Sequence, residues 1–160
     1  MSIEDGKPYN YKNCQSLFGY AQEVHIRCKG ICQLCGCGGL KPKDFAIWRQ
    51  MTVEHLIGKS QGGYLNQIKQ SLKEYHSIED DTFAKELDAI NTVTACQFCN
   101  STTSRDASDE SMGAIIKDAT SKEEMIKNLS KICSKVLTKK KETVIWKLES
   151  VQQAFTKLKT

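Results

Sequence analysis

The sequence predicts an α+β domain in which helices outnumber strands, and three features of residue order carry that prediction. Two short β-branched runs, "MTVEH" and "NTVTA", have strand character. Apolar residues at helical spacing fill the stretches before, between and after them. Two Cys-x-x-Cys pairs complete the pattern, one before the first run and one directly after the second. With 160 residues, 39% hydrophobic and 26% charged, the chain suits one globular domain spanning 1–160.

The first element is a helix over Ser16 to Cys28, "SLFGYAQEVHIRC", with Leu17, Tyr20, Val24 and Ile26 turned to the core; Lys29-Gly30 ends it. "FAIWRQMTVEHL" then carries a strand at about Gln50 to Leu56, and "IGKSQGG" follows as a loop whose Gly62-Gly63 pair marks a turn. Tyr64 to Ile90 reads as a helical insertion. Leu65, Ile68, Leu72 and Tyr75 share one face, Phe83, Leu87 and Ile90 another, and "SIEDD" breaks the two. The chain returns as the strand "NTVTA", and a polar helix begins near Cys96 and runs toward Arg105.

The remainder, 106–160, is a helical extension. Ser121 and Glu124 have capping-box spacing, and Met125, Leu129, Ile132 and Val136 continue a stripe from there. A last helix carries Val144, Leu148, Val151, Phe155 and Leu158 at alternating steps of four and three. Barely two heptads favour packing on the chain's own core, with a homodimer as the alternative. The run Lys139 to Lys141 reads as a solvated helix junction.

A net charge of +4 and a pI near 8.6 allow a polyanionic partner without requiring one. The start, "MSIEDGKPYN", lacks the basic-then-apolar pattern of a signal peptide, and no apolar run approaches membrane-spanning length. The expectation is a cytoplasmic protein with no membrane partner. In a reducing compartment eight cysteines point to metal rather than to disulfides.

Cys32-x-x-Cys35 and Cys96-x-x-Cys99 have ligand spacing. Two thiolates on a tight turn can bite one tetrahedral ion, and two such turns complete a four-thiolate shell for Zn²⁺. Two pairs flanked by glycine and polar residues outweigh the alternative of unrelated buried thiols. Cys28 and Cys37 lie close enough to the first pair to substitute as ligands, while Cys14 and Cys133 read as small core residues. Sixty residues separate Cys35 from Cys96, so such an ion would tie distant parts of the chain together.

The constellation of "GICQLCG" at Gly30 to Gly36, "VEHLIGKSQGG" at Val53 to Gly63 and "NTVTACQFCN" at Asn91 to Asn100 resembles the HNH endonucleases. The resemblance implies a ββα-metal core over 21–105, two antiparallel strands and a helix around one divalent cation. It carries a structural zinc and excludes the helical insertion at about 64–90. The family's roles fall on matching positions. His55 would be the general base that takes a proton from the attacking water. Glu54 would be the acidic ligand of a catalytic Mg²⁺ or Mn²⁺, and Asn100 its second protein ligand. Asn91 would pin the loop between the strands, and Cys32, Cys35, Cys96 and Cys99 would hold zinc.

The implied activity is hydrolysis of DNA phosphodiester bonds, with double-stranded DNA as partner, 5′-phosphate and 3′-hydroxyl products, and a restriction or phage-defence role. The chemistry suits the residues. Neutral imidazole accepts a proton near neutral pH, its reference pKa being about 6.5. A hard cation takes oxygen ligands and keeps positions open for phosphate. Lys59 and Arg105 flank the site as candidate phosphate contacts, with plain surface charge as the equal alternative.

Two departures stand out: the insertion is longer than in minimal members, and the final ligand is asparagine rather than the stronger histidine. His25 reads as structural or surface, and His76 as a solvated cap. The rival functions are a zinc-braced nucleic-acid-binding module without catalysis and a Cys-x-x-Cys redox protein.

Overall fold

The structure, a computed structural model, describes residues 21–58, 64–103 and 111–158. Expectations for Cys14, Leu17, Tyr20, Lys59, the Gly62-Gly63 turn and Arg105 lie outside the described residues. Among these residues the fold is α+β, mostly helical, with one small two-stranded sheet. Helix α1 covers Ala21–Arg27; a 3-10 turn at Pro42–Asp44 and the short α2, Phe45–Trp48, precede strand β1, Met51–His55. Helices α3, Tyr64–His76, and α4, Asp81–Ile90, separate β1 from β2, Thr92–Cys96. Helices α5, Gln97–Thr103, α6, Met112–Asp118, and α7, Lys122–Thr156, complete the chain.

The strands pair antiparallel, Met51 opposite Cys96 and His55 opposite Thr92. Each is five residues long and alone would be marginal in water. The end from which the insertion leaves is held by one side chain. Asn91 accepts from Ile57 N at 2.8 Å through Oδ1 and donates to Ile57 O at 2.9 Å through Nδ2. Its own carbonyl accepts from Leu56 N at 2.9 Å. This side chain is fully buried, so an amide pairing both ways removes two backbone groups from the list of unmet bonds.

Local chemistry places the helices. Asp80 caps α4 by accepting from Phe83 N at 3.0 Å, and Ser121 caps α7 by accepting from Glu124 N at 3.1 Å. Lys29 and Gly30 take positive φ beyond α1, as a helix stop requires. The larger core gathers Ile68 and Leu72 of α3, Phe83 and Leu87 of α4, Ile115 and Ile116 of α6, and Met125 and Leu129 of α7. A second core, around Met51, Ala95, Cys32, Cys96 and Cys99, receives Val144 from α7.

Several expectations need correction. Ile26 and Tyr75 are exposed, Tyr75 beneath the Lys117 ammonium at 5.7 Å, because α1 and α3 bury narrower faces than their apolar content suggests. No junction interrupts Lys139 to Lys141. Residues 122 to 156 contain no glycine or proline and form one 35-residue helix, about 50 Å long at the usual rise. The seam expected to pack on the core does so only at Val144. Val151, Phe155 and Leu158 are 50%, 61% and 75% exposed, because α7 carries them past the body that it packs on. The short α2 and α6 were invisible to periodicity, being one and two turns long.

Replacing Asn91 by Ala should cost about 2–4 kcal/mol, read from urea unfolding, because it strands a buried Ile57 N–H and C=O together.

Candidate metal centre and the Glu54–His55 site

The first cysteine loop is a tight knuckle. Gly36 N donates to Cys32 O and Cys32 N to Cys37 O, both at 2.8 Å. Gly38, with φ near +102, closes the loop so tightly that a Cβ there would sit 2.5 Å from both Gly30 O and the Met51 side chain. Gln33 N donates to Thr94 O at 2.9 Å, fastening the knuckle along β2. Cys96 ends that strand, so the knuckle and the strand end deliver thiols to one point.

Cys32, Cys35, Cys37 and Cys96 place their sulfurs within 4.8 Å of one another and are positioned to bind a metal ion. Cys35 Sγ lies 3.3 Å from Cys37 Sγ and 3.9 Å from Cys96 Sγ. The group differs by one member from the set read off the sequence. Cys37, folded back by the turn at Gly36, is inside it. Cys99, fully buried in the first turn of α5, lies beside Cys35 and Cys96. Cys28 is outside the group, accepting from Thr94 N at 3.4 Å, and Cys133 is a core residue as expected, its thiol 3.6 Å from Asn91 Oδ1.

Electrostatics within the group favour a cation. Cys32 is drawn down to about 4 because the Cys96 thiol hydrogen-bonds to its thiolate, outweighing burial. Cys37 is pushed up to about 12, first by burial and then by Cys35. Cys96 is raised by its bond to Cys32 and by burial, and Cys99 by burial and by the neighbouring charges. A crowd of thiols that tolerates one negative charge and resists the next is what a bound ion relieves.

On β1, alternation puts Thr52 and Glu54 on one face and sends His55 the other way. Asn100 of α5 donates from Nδ2 to Thr52 Oγ1 at 2.8 Å, so Asn100 and Glu54 share that face. With Nδ2 engaged, the amide oxygen is the Asn100 atom left for a cation. Glu54 is 4% exposed; its Oε1 accepts from Lys140 Nζ at 2.7 Å, and its Oε2 has no partner among the described residues. Burial raises the Glu54 carboxyl against the opposing pulls of Lys140 and His55. His55 stacks on Tyr64, ring centroids 3.7 Å apart and planes 5° from parallel, with Nε2 3.7 Å from Asp88 Oδ1.

The structure thus brings Glu54 and Asn100 to one strand face and turns His55, next in the chain, to the other, against Tyr64 and Asp88. It adds two residues that the sequence reading missed. Lys140 was read as part of a solvated run, yet it is 4% exposed. Its signal was positional: Val136, Lys140 and Val144 continue the buried stripe in steps of four. Asp88 likewise follows the buried Ala84 by four on α4. The Lys147 ammonium bonds to Thr102 O, so Lys140, Val144 and Lys147 dock one face of α7 on β1 and α5.

The other two histidines tie elements together. His25 is buried, with Nδ1 2.7 Å from Thr94 Oγ1, so it is structural. His76, expected as a solvated cap, instead places Nε2 2.5 Å from Ile116 O and joins α3 to α6.

Replacing Lys140 by Met should destabilise the fold by about 3–5 kcal/mol in urea, because it leaves the Glu54 carboxylate buried without its cation; adding Glu54→Gln should recover part of the loss. No described helix is long and apolar enough to cross a membrane. Comparison with protein-family models, with curated proteins and with solved structures gives no match.

Proposed function

We propose that this chain is a divalent-metal-dependent DNA endonuclease whose general base is His55. The observation that carries the reading is a buried carboxylate, Glu54, with one oxygen lacking a protein partner, on the strand face it shares with Asn100 and next in sequence to an imidazole. Burying a carboxylate with an unmet oxygen is costly unless the site serves a cation. Glu54 Oε2 and the Asn100 amide oxygen form a hard-donor set that fits Mg²⁺ or Mn²⁺. Bound there, such an ion would supply Lewis-acid stabilisation to charge developing on the phosphate.

The chain's own residues would do the rest. His55 takes a proton from water, which attacks phosphorus in line with the leaving 3′ oxygen. Tyr64 holds the plane of the imidazole, and Lys140, bound to the opposite oxygen, works against the effect of burial on the Glu54 carboxyl. Asn91 fixes the backbone immediately after His55, so its role is geometric. Zn²⁺ at the cysteine group would brace the ribbon and the start of α5, with four of Cys32, Cys35, Cys37, Cys96 and Cys99 as ligands.

One observation favours a second reading, a zinc-braced nucleic-acid-binding module without catalysis. The Lys140 ammonium already supplies a positive charge at Glu54.

His55→Ala should abolish nicking of plasmid DNA with Mg²⁺ or Mn²⁺ while leaving the melting temperature and DNA binding near wild type. A wild-type protein that binds DNA but never nicks it, whatever divalent metal is supplied, would establish the binding module instead. Metal analysis of the purified chain should find about one zinc, and stripping it with a strong chelator should lower Tm by several degrees.

A further inference from the structure

Helix α7 leaves the body with an apolar seam uncovered. From Val144 onward, Leu148, Val151, Phe155 and Leu158 recur in steps of four and three, the a/d spacing of a coiled coil. Val144 is fully buried in the second core, and exposure then climbs from 36% at Leu148 to 75% at Leu158. The arm is stiff: residues 145–158 contain no glycine or proline, and Leu158 N still donates to Phe155 O at 3.0 Å. A line of large apolar side chains held out in water marks a contact surface.

Charge, register and area together identify what covers it. The only charged residues from Ile145 to Leu158 are Lys147, Glu149 and Lys157, too balanced to draw in a polyanion or an acidic lipid surface, and Lys147 is bonded to Thr102 O. The seam is complementary to itself. Laid antiparallel, Leu148 of one copy meets Leu158 of the other and Val151 meets Phe155, so every seam residue is matched. Gln152 and Ala154 flank the two-fold axis, so no like charges meet there. The exposed parts of the four seam residues and Ile145 amount to about 500 Å² per copy, so mutual burial reaches the ~1,000 Å² at which specific interfaces begin. A parallel pair is blocked: it would set the two Val144 residues together, where the chain's own sheet and α5 already pack.

We propose that two copies of this chain pair through their α7 arms, antiparallel, with Val151 and Phe155 at the centre of the interface. No residue of the Glu54–His55 site takes part, so this pairing and the nuclease reading stand or fall separately. The two-fold axis brings two copies of that site into one particle. Sedimentation equilibrium of the whole chain over a concentration series tests it. An interface of this size should leave the chain monomeric at about 0.1 µM and dimeric at about 100 µM. Phe155→Glu puts charge into the central layers, so it should weaken association about tenfold or more and leave the Tm of the dilute monomer within about 2 °C. Leu148→Glu and Leu158→Lys should each weaken the dimer alone. The double variant should regain part of the loss, because the antiparallel register sets the new acid of one copy against the new base of the other.

A wild-type chain still monomeric at about 200 µM would overturn the proposal, and so would a dimer that Phe155→Glu leaves intact. A dilute Phe155→Glu monomer melting several degrees lower would place that side chain in its own chain's core, which also overturns it. A double charge variant no tighter than its single variants would overturn the antiparallel register. Should Phe155→Glu fail to fold, Phe155→Ala and the wild-type series still decide.

Discussion

A two-stranded ribbon of five residue pairs must be held from outside, and nearly every distinctive contact in this protein does so. At one end the cysteine knuckle grips β2 through Gln33 and Thr94 and brings three sulfurs up to that of Cys96. At the other end Asn91 fastens the backbone of Ile57 in both directions. Between them Glu54 is tied to α7 through Lys140, and Thr52 to α5 through Asn100. Glu54, Asn91 and Asn100, three of the candidate site residues, are thus also braces of the ribbon.

Helix α7 has two roles along its length. Its first half is ordinary core, with Met125, Leu129, Cys133 and Val136 packed on α4 and α6. Its middle delivers an ammonium to a buried carboxylate, a contact in which desolvation of both groups opposes their attraction. That arrangement contributes orientation more than stability. It fixes where α7 crosses the sheet and which Glu54 oxygen is left for another partner. Beyond Val144 the apolar residues face outward, so the helix ends as an exposed arm.

The legible parts of the sequence were those governed by local rules. The two β-branched runs and the Ser121 cap each depend on a few adjacent residues, and each took its expected form within a residue or two; Cys-x-x-Cys spacing picked out three of the four grouped thiols. Lys139 to Lys141 misled because charge normally means solvent, and only the opposite wall shows that the middle lysine meets an acid. Spacing put Cys99 among the ligands and Cys37 only as a substitute in the first pair, since it counts residues and not the direction in which a turn folds. Asp88 gave no local signal beyond its place on an apolar stripe, because its partner is thirty-three residues earlier in the chain.

By itself, then, the sequence determined the element types, the metal-binding composition and the candidate identity of Glu54, His55, Asn91 and Asn100. These follow from periodicity, ligand spacing and residue chemistry, all properties of short stretches. Tertiary structure alone decided which four thiols converge, that Lys140 neutralises Glu54, and that α3 and α4 return to frame His55. Those outcomes depend on how surfaces far apart in the chain meet, and packing selects among many sequence-compatible pairings.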